Sequence, residues 1–204
     1  MRVHSIRRIC RVLATAGLLL VLGVLLQASQ AAAIGFSGKW GSTGSAPGQF
    51  NNPTAVAVGP SGNVYVSDAA NNRVQEFSPN GAFINAFGTT GTGPGQFKYP
   101  WGIAIDRFGN VYVADNTNDR IEEFTAGGTF INQFGGTGTT DGKFTNPVAI
   151  SIGPSGNVYV SDQDNRRIQV YTPGGAFITN FGGPDGSLDG QFVFNEGIAV
   201  TGSG

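Results

Sequence analysis

After Cys10 the chain contains no cysteine, and its one histidine (His4) and one methionine (Met1) also stand in the first ten positions. That absence removes histidine-based triads, thiol nucleophiles and histidine-ligated zinc from everything downstream. A cysteine-free body also suits export, because no thiol is left to oxidise. Positive charge is scarce too. Of 12 Lys and Arg, four (Arg2, Arg7, Arg8, Arg11) lie at the extreme N-terminus, which leaves 8 against all 13 acids, a net charge near −5. Nucleic acid attracts clustered Lys and Arg, so it is not an expected partner. No segment keeps a helical hydrophobic period. Glycine, by contrast, is abundant at 33 of 204 residues, as short strands joined by tight turns require.

The N-terminus reads as a targeting segment. A basic stretch to Arg11 is followed by an apolar run of 15 residues, Val12 to Leu26, and then by Ala31 and Ala33 in an A-x-A arrangement. This is the layout of a secretory signal peptide spanning 1–33. An uncleaved anchor would want roughly 20 apolar residues. The expected location is extracellular or in the cell envelope, with no membrane insertion once the leader is removed.

The rest, 34–204, is built on one repeated tract. Gly62-Asn63-Val64-Tyr65-Val66-Ser67-Asp68 returns as 109–115 and again as 156–162, at a spacing of 47 residues each time. Each unit opens on Gly-Gln-Phe or Gly-Lys-Phe (48–50, 95–97, 142–144, 190–192). A short apolar run follows (55–58, 102–105, 149–152, 197–200), then a turn and the Asn-Val-Tyr-Val strand. A polar turn leads to a third strand (73–77, 120–124, 167–171), and a Pro/Gly turn to a fourth (83–87, 130–134, 177–181). Four short strands per 40–50 residues, with turn chemistry at each junction, predict an all-β propeller of four-stranded antiparallel blades. The units run over about 48–94, 95–141 and 142–189, with a partial unit at 190–204 and a lone fourth strand at 35–41. That makes three full blades plus one N-terminal and one C-terminal partial strand.

The blocks Ser67-Asp68…Asn72-Arg73-Val74-Gln75 and Ala114-Asp115…Asp119-Arg120-Ile121-Glu122, each after Gly-Asn-Val-Tyr-Val, resemble NHL repeats. The Gly-Gln-Phe-x-x-Pro opening fits the same family. The resemblance implies a propeller, usually six-bladed, that most often serves as a binding platform, although some members are lyases or hydrolases. Three blades do not close such a ring. The chain is therefore expected to be part of a larger propeller, or else to associate through its open blade edges. A remnant that does not fold is a third reading.

Asp68, Asp115 and Asp162 recur at a strand end, each followed by an Arg (Arg73, Arg120, Arg167). They are expected to cap turn N–H groups or to pair with that Arg rather than to form a metal ring. Asp185, Ser187, Asp189 and Glu196 have the spacing of a calcium loop, although no helix flanks them. The inner strands carry only small and apolar residues besides Ser151, so no catalytic constellation and no cofactor are expected. A partner, protein or glycan (a cell-envelope polymer), would dock on the loop segments where the copies differ, with Tyr99, Trp101, Asn116, Asn118, Asp164 and Arg166 as the candidate residues. Trp101 has two open readings, an exposed anchor or a ring packed between blades. The functional expectation is a non-catalytic exported binding module. The alternative is a secreted propeller lyase or hydrolase whose active-site blades lie beyond this chain.

Overall fold

The computed structural model describes residues 38–183, 188–193 and 195–201. The expected leader at 1–33 lies outside these residues, as do positions 35–37, Asp185 and Ser187. Three four-stranded sheets form, each antiparallel with its strands in chain order. The first blade is Pro53–Val58, Val64–Asp68, Arg73–Phe77 and Phe83–Phe87. The middle blade is Pro100–Ile105, Val111–Asp115, Arg120–Phe124 and Phe130–Gly135. The third is Pro147–Ile152, Val158–Asp162, Arg167–Tyr171 and Phe177–Gly182. The result is an all-β partial propeller. Among the described residues no helix is long and apolar enough to cross a membrane. The helical segments are single 3₁₀ turns such as Ala69–Asn71 and Asn116–Asn118.

Blades are joined by aromatic clusters that repeat with the sequence. The ring closing each third strand (Phe77, Phe124, Tyr171) lies 5.5 Å from the Phe of its own lead-in loop (Phe50, Phe97, Phe144). On its other side it meets the ring that ends the preceding outer strand: Trp40 at 4.5 Å, Phe87 at 4.9 Å and Phe134 at 4.7 Å. A fourth ring, Phe83, Phe130 or Phe177, completes each cluster edge-on. Each fully buried ring contributes about 1.5–3 kcal/mol of transfer free energy, so these clusters are the main adhesive between blades. Trp40 thus holds the place of an outer-strand Phe. Segments 38–41 and 197–200 carry no strand pairing among the described residues.

Two bulges shape every blade. On the outer strand the register slips after Glu76↔Asn85, Glu123↔Asn132 and Val170↔Thr179. The skipped residues are Ile84, Ile131 and Ile178, which the bulge turns outward to 48%, 45% and 46% exposure. On the inner strand the slip falls just after the Pro, at Thr54, at Trp101–Gly102 and at Val148. Bulges of this kind re-aim a side chain. Neighbouring inner strands run so close that a Cβ at Gly102 would stand 2.6 Å from Val148 O.

Candidate functional site

Antiparallel strands bring the lead-in loop and the turn between the second and third strands to one face. Thr117 N–H donates to Lys98 O, and Gln163 N–H to Asn146 O. The repeated aspartates fasten this face. Asp68 Oδ1 accepts from Asn51 N (2.7 Å), Asp115 Oδ1 from Lys98 N (2.7 Å) and Asp162 Oδ1 from Thr145 N (2.8 Å). Their Oδ2 atoms each accept an Arg Nε at 2.8 Å, from Arg73, Arg120 and Arg167. The same arginines reach on to the loop carbonyls, for example Gln49 O, Gln96 O and Lys143 O. All three carboxylates are fully buried. They cap the loop and pair with the Arg, as the recurrence implied. Burial raises the Asp115 carboxyl above its ordinary range against the opposing pull of Lys98 N–H, Asn118 and Arg120.

Tyr99 and Trp101 come together on this face with ring centroids 6.0 Å apart and planes at 55°. Trp101 is 37% exposed. Tyr99 has a φ of 57°, in the left-handed region. Asn52 and Asn146 hold the same position in the sister blades with φ of 55° and 62°. Asparagine tolerates that conformation, whereas a bulky side chain there is an outlier. The Tyr99 backbone is held by its N–H donating to Asn72 Oδ1 at 2.8 Å, and Asn52 Nδ2 donates to its hydroxyl.

The other expected docking residues are placed differently. Asn116 is buried, and its Nδ2 donates to Pro147 O at 3.0 Å. Asn118 Nδ2 donates to Gly91 O and to Asp115 Oδ2. Both amides therefore tie blades and loops together. Asp164 is exposed, and Arg166 is half-buried with a φ of 53°. Of the calcium candidate only Asp189 and Glu196 are described, and both are exposed. Among the described residues no three metal-binding side chains converge.

The opposite face carries a feature that the sequence pattern did not single out. A cleft of about 630 Å³ opens between the middle and third blades, lined in part by Asp106, Arg107, Phe108, Tyr112, Glu123 and Pro173. Tyr112 donates from its hydroxyl to Glu123 Oε1 (3.0 Å) or Pro173 O (3.2 Å). Asp106 Oδ1 accepts from the N–H groups of Phe108 and Asn110. Arg107 lies 4.7 Å over the Phe108 ring. Burial and the neighbouring Asp106 push the Glu123 carboxyl upward, opposed by the Tyr112 hydroxyl. Asp106-Arg107-Phe108 replaces the Gly-Pro-Ser of 59–61 and 153–155, and that departure was the available signal.

The blades and their fastenings define a repeat-built propeller module. The sequence profile of the NHL repeat matches residues 50–77, 97–124 and 144–171. The chain carries three NHL repeats. A search of curated proteins finds no match. Among solved structures it is similar to a streptogramin B lyase (20% identity, TM-score 0.52), over 63% of this chain and 40% of that one. It is also similar to a catalytically inactive histidine-to-alanine variant of virginiamycin B lyase from Staphylococcus aureus with quinupristin (19%, TM-score 0.51), over 63% and 40%. A third is hydrazine synthase of Kuenenia stuttgartiensis (15%, TM-score 0.52), over 74% and 38%. These likenesses are of fold. The chain spans about two fifths of the length of these proteins.

Proposed function

We propose that the chain is a non-catalytic binding module, exported to the envelope or beyond, that docks a protein or a cell-envelope polymer on the face bearing Tyr99 and Trp101. The observation that carries this reading is the Tyr99–Trp101 pair. A bulged strand turns Trp101 outward, and Tyr99 stands in a backbone conformation where the sister blades use Asn. Backbone strain of this kind costs roughly 1–3 kcal/mol and gathers at functional positions. Exposed Trp and Tyr supply large contact areas at low entropic cost. The net negative charge of the body supports a partner other than nucleic acid.

The test exchanges the pair for the residues of the first blade, Tyr99→Asn and Trp101→Thr. Wall polysaccharide is co-sedimented with the full chain, and soluble envelope proteins are titrated against it. The exchanged chain is expected to fold at least as stably as the parent and to bind ten-fold or more weakly. A stability loss above about 2 kcal/mol with unchanged binding would instead make Trp101 a packing residue. A second reading, a propeller lyase or hydrolase, draws on the fold likeness to virginiamycin B lyase. The segment 38–201 has no histidine, so a histidine-dependent version needs groups from outside it. Turnover of a streptogramin B antibiotic by the full chain would favour that reading.

A further inference from the structure

The position after the Arg–x step of each third strand holds Gln75, Glu122 and Gln169 in turn. In the first blade Gln75 Oε1 accepts from Gly48 N (2.9 Å), while Nε2 donates to Gln49 O (2.7 Å) and Asp68 Oδ2 (3.1 Å). The third blade repeats this: Gln169 Oε1 accepts from Gly142 N (2.9 Å), and Nε2 donates to Lys143 O (2.6 Å) and Asp162 Oδ2 (3.0 Å). In the middle blade Glu122 Oε1 accepts from Gly95 N at 3.2 Å. Its Oε2 is buried with no hydrogen-bond partner among the described residues. The matching Nε2 atoms of the sister blades face a lead-in carbonyl and the repeated Asp, whose counterparts here are Gln96 O and Asp115 Oδ2. Both are acceptors. An ionised carboxylate can donate to neither, whereas a carboxylic acid can.

We propose that Glu122 is a proton-dependent latch, which as the neutral acid takes the place of the sister amides and on ionisation loosens the lead-in loop that carries Tyr99 and Trp101. The charged groups facing it are Arg120 on its own strand and Asp115 at the end of the adjoining one. The lead-in loop faces it with backbone, and across the outer-strand register stands the neutral Gln133. Arg120 Nη2 lies 3.1 Å from Oε1. Its donors are shared with Asp115, Gln133 and the carbonyls of Thr92, Gly93 and Gln96, so Glu122 receives only part of that charge. Burial accordingly wins over Arg120 and Gly95 N–H, Asp115 adds to it, and the carboxyl is pushed up to about 7. The loop is pinned at two points ahead of Tyr99, where Gly95 N–H donates to Glu122 and Lys98 N–H to Asp115. Coupling to a ligand rests on the docking reading above; the latch itself does not.

The sign follows from linkage. A carboxyl that holds its proton more tightly when folded contributes stability that is fully present below the unfolded value of 4.5 and is lost as pH rises to about 7. The experiment compares denaturation of the full chain with Glu122→Gln from pH 4.5 to 8. Relative to that variant, the parent's folding constant is expected to fall on the order of a few hundred-fold across the window, because it drops about ten-fold per pH step of one between the unfolded and folded values. Gln169→Glu should acquire the same slope. In a Trp40→Phe background, Trp101 emission should change through the same window in the parent and stay constant with Gln at 122. Parallel stability profiles would overturn the latch, and constant Trp101 emission in the parent would overturn the loosening of the loop. Failure to bind any polymer or protein would sink the docking reading and leave these profiles as they are.

Discussion

Tyr171 is the sharpest place to test how the blade interfaces are held. Its ring is 1% exposed and occupies the centre of the third aromatic cluster. The ring distances of 4.7, 5.5 and 5.8 Å match those of Phe124 (4.9, 5.5 and 5.9 Å) within a few tenths of an ångström. The hydroxyl alone is different. It is buried and finds no partner among the described residues, and burial drives its ionisation well above the ordinary tyrosine range. An unsatisfied buried hydroxyl costs about 1–3 kcal/mol. Tyr171→Phe removes it and leaves a ring that the sister clusters already accommodate. The expected gain is about 1 kcal/mol, or roughly 2–4 °C in Tm for a domain of this size. The converse change, Phe124→Tyr, should lose a similar amount. Thermal denaturation followed by circular dichroism reads both. A lower Tm for Tyr171→Phe would mean that the hydroxyl has a stabilising partner, and the equivalence of the three clusters would have to be given up.

Two further perturbations address the fastenings of the blades. Asp162→Ala leaves the 10%-exposed Arg167 side chain without its principal carboxylate and frees Thr145 N–H, Asn165 and Gln169. Breaking such a buried pair costs about 3–5 kcal/mol, read by urea denaturation; a loss below about 1 kcal/mol would make the network incidental. Gly102→Ala places a carbon 2.6 Å from Val148 O and 2.9 Å from Ala149 Cα. The inner strands must then part, for a loss of roughly 1–3 kcal/mol, and an unchanged Tm would show that they are not held against each other.

The blade strands were readable because their ends are marked by residue type. Arg opens and an aromatic closes each third strand, so Arg73–Phe77, Arg120–Phe124 and Arg167–Tyr171 lie where the pattern places them. The inner strands begin two residues earlier than the apolar runs suggest, at Pro53, Pro100 and Pro147, because proline is tolerated at the first residue of a strand. The parallel two-residue pairs within the lead-in loops, such as Thr89–Thr90 with Gln96–Phe97, carry no periodicity to read. Nor does sequence reveal which of the recurring Ile residues a bulge turns outward. At the candidate site the split is instructive. Tyr99 and Trp101 are large and differ from their counterparts, and they emerge as a surface pair. Asn118 recurs as Asn71 and Asn165, each donating to its own repeat's Asp three residues away, so the repeat itself marked it as structural. Asn116 looks like an exposed loop residue, yet its partner Pro147 O lies 31 residues away in sequence. A non-local contact of that kind leaves no local trace.

Internal repetition supplies its own control for what packing requires. The first and third blades agree at Asn52 and Asn146, at Gly59-Pro60-Ser61 and Gly153-Pro154-Ser155, and at Gln75 and Gln169. The middle blade departs at all of these, with Tyr99, Asp106-Arg107-Phe108 and Glu122. Each departure that can be weighed works against stability. A left-handed Tyr replaces an Asn that suits the conformation, and a buried carboxyl replaces an amide that satisfies every neighbour. Phe108 is 75% exposed where a Ser would be solvated. A local rule broken without a packing gain marks a place where something other than the fold sets the residue. The third blade breaks the same rule at Tyr171, whose hydroxyl is buried where the sister blades have Phe, and at Arg166, with a φ of 53°; the middle blade differs in placing its departures on both faces and in its core.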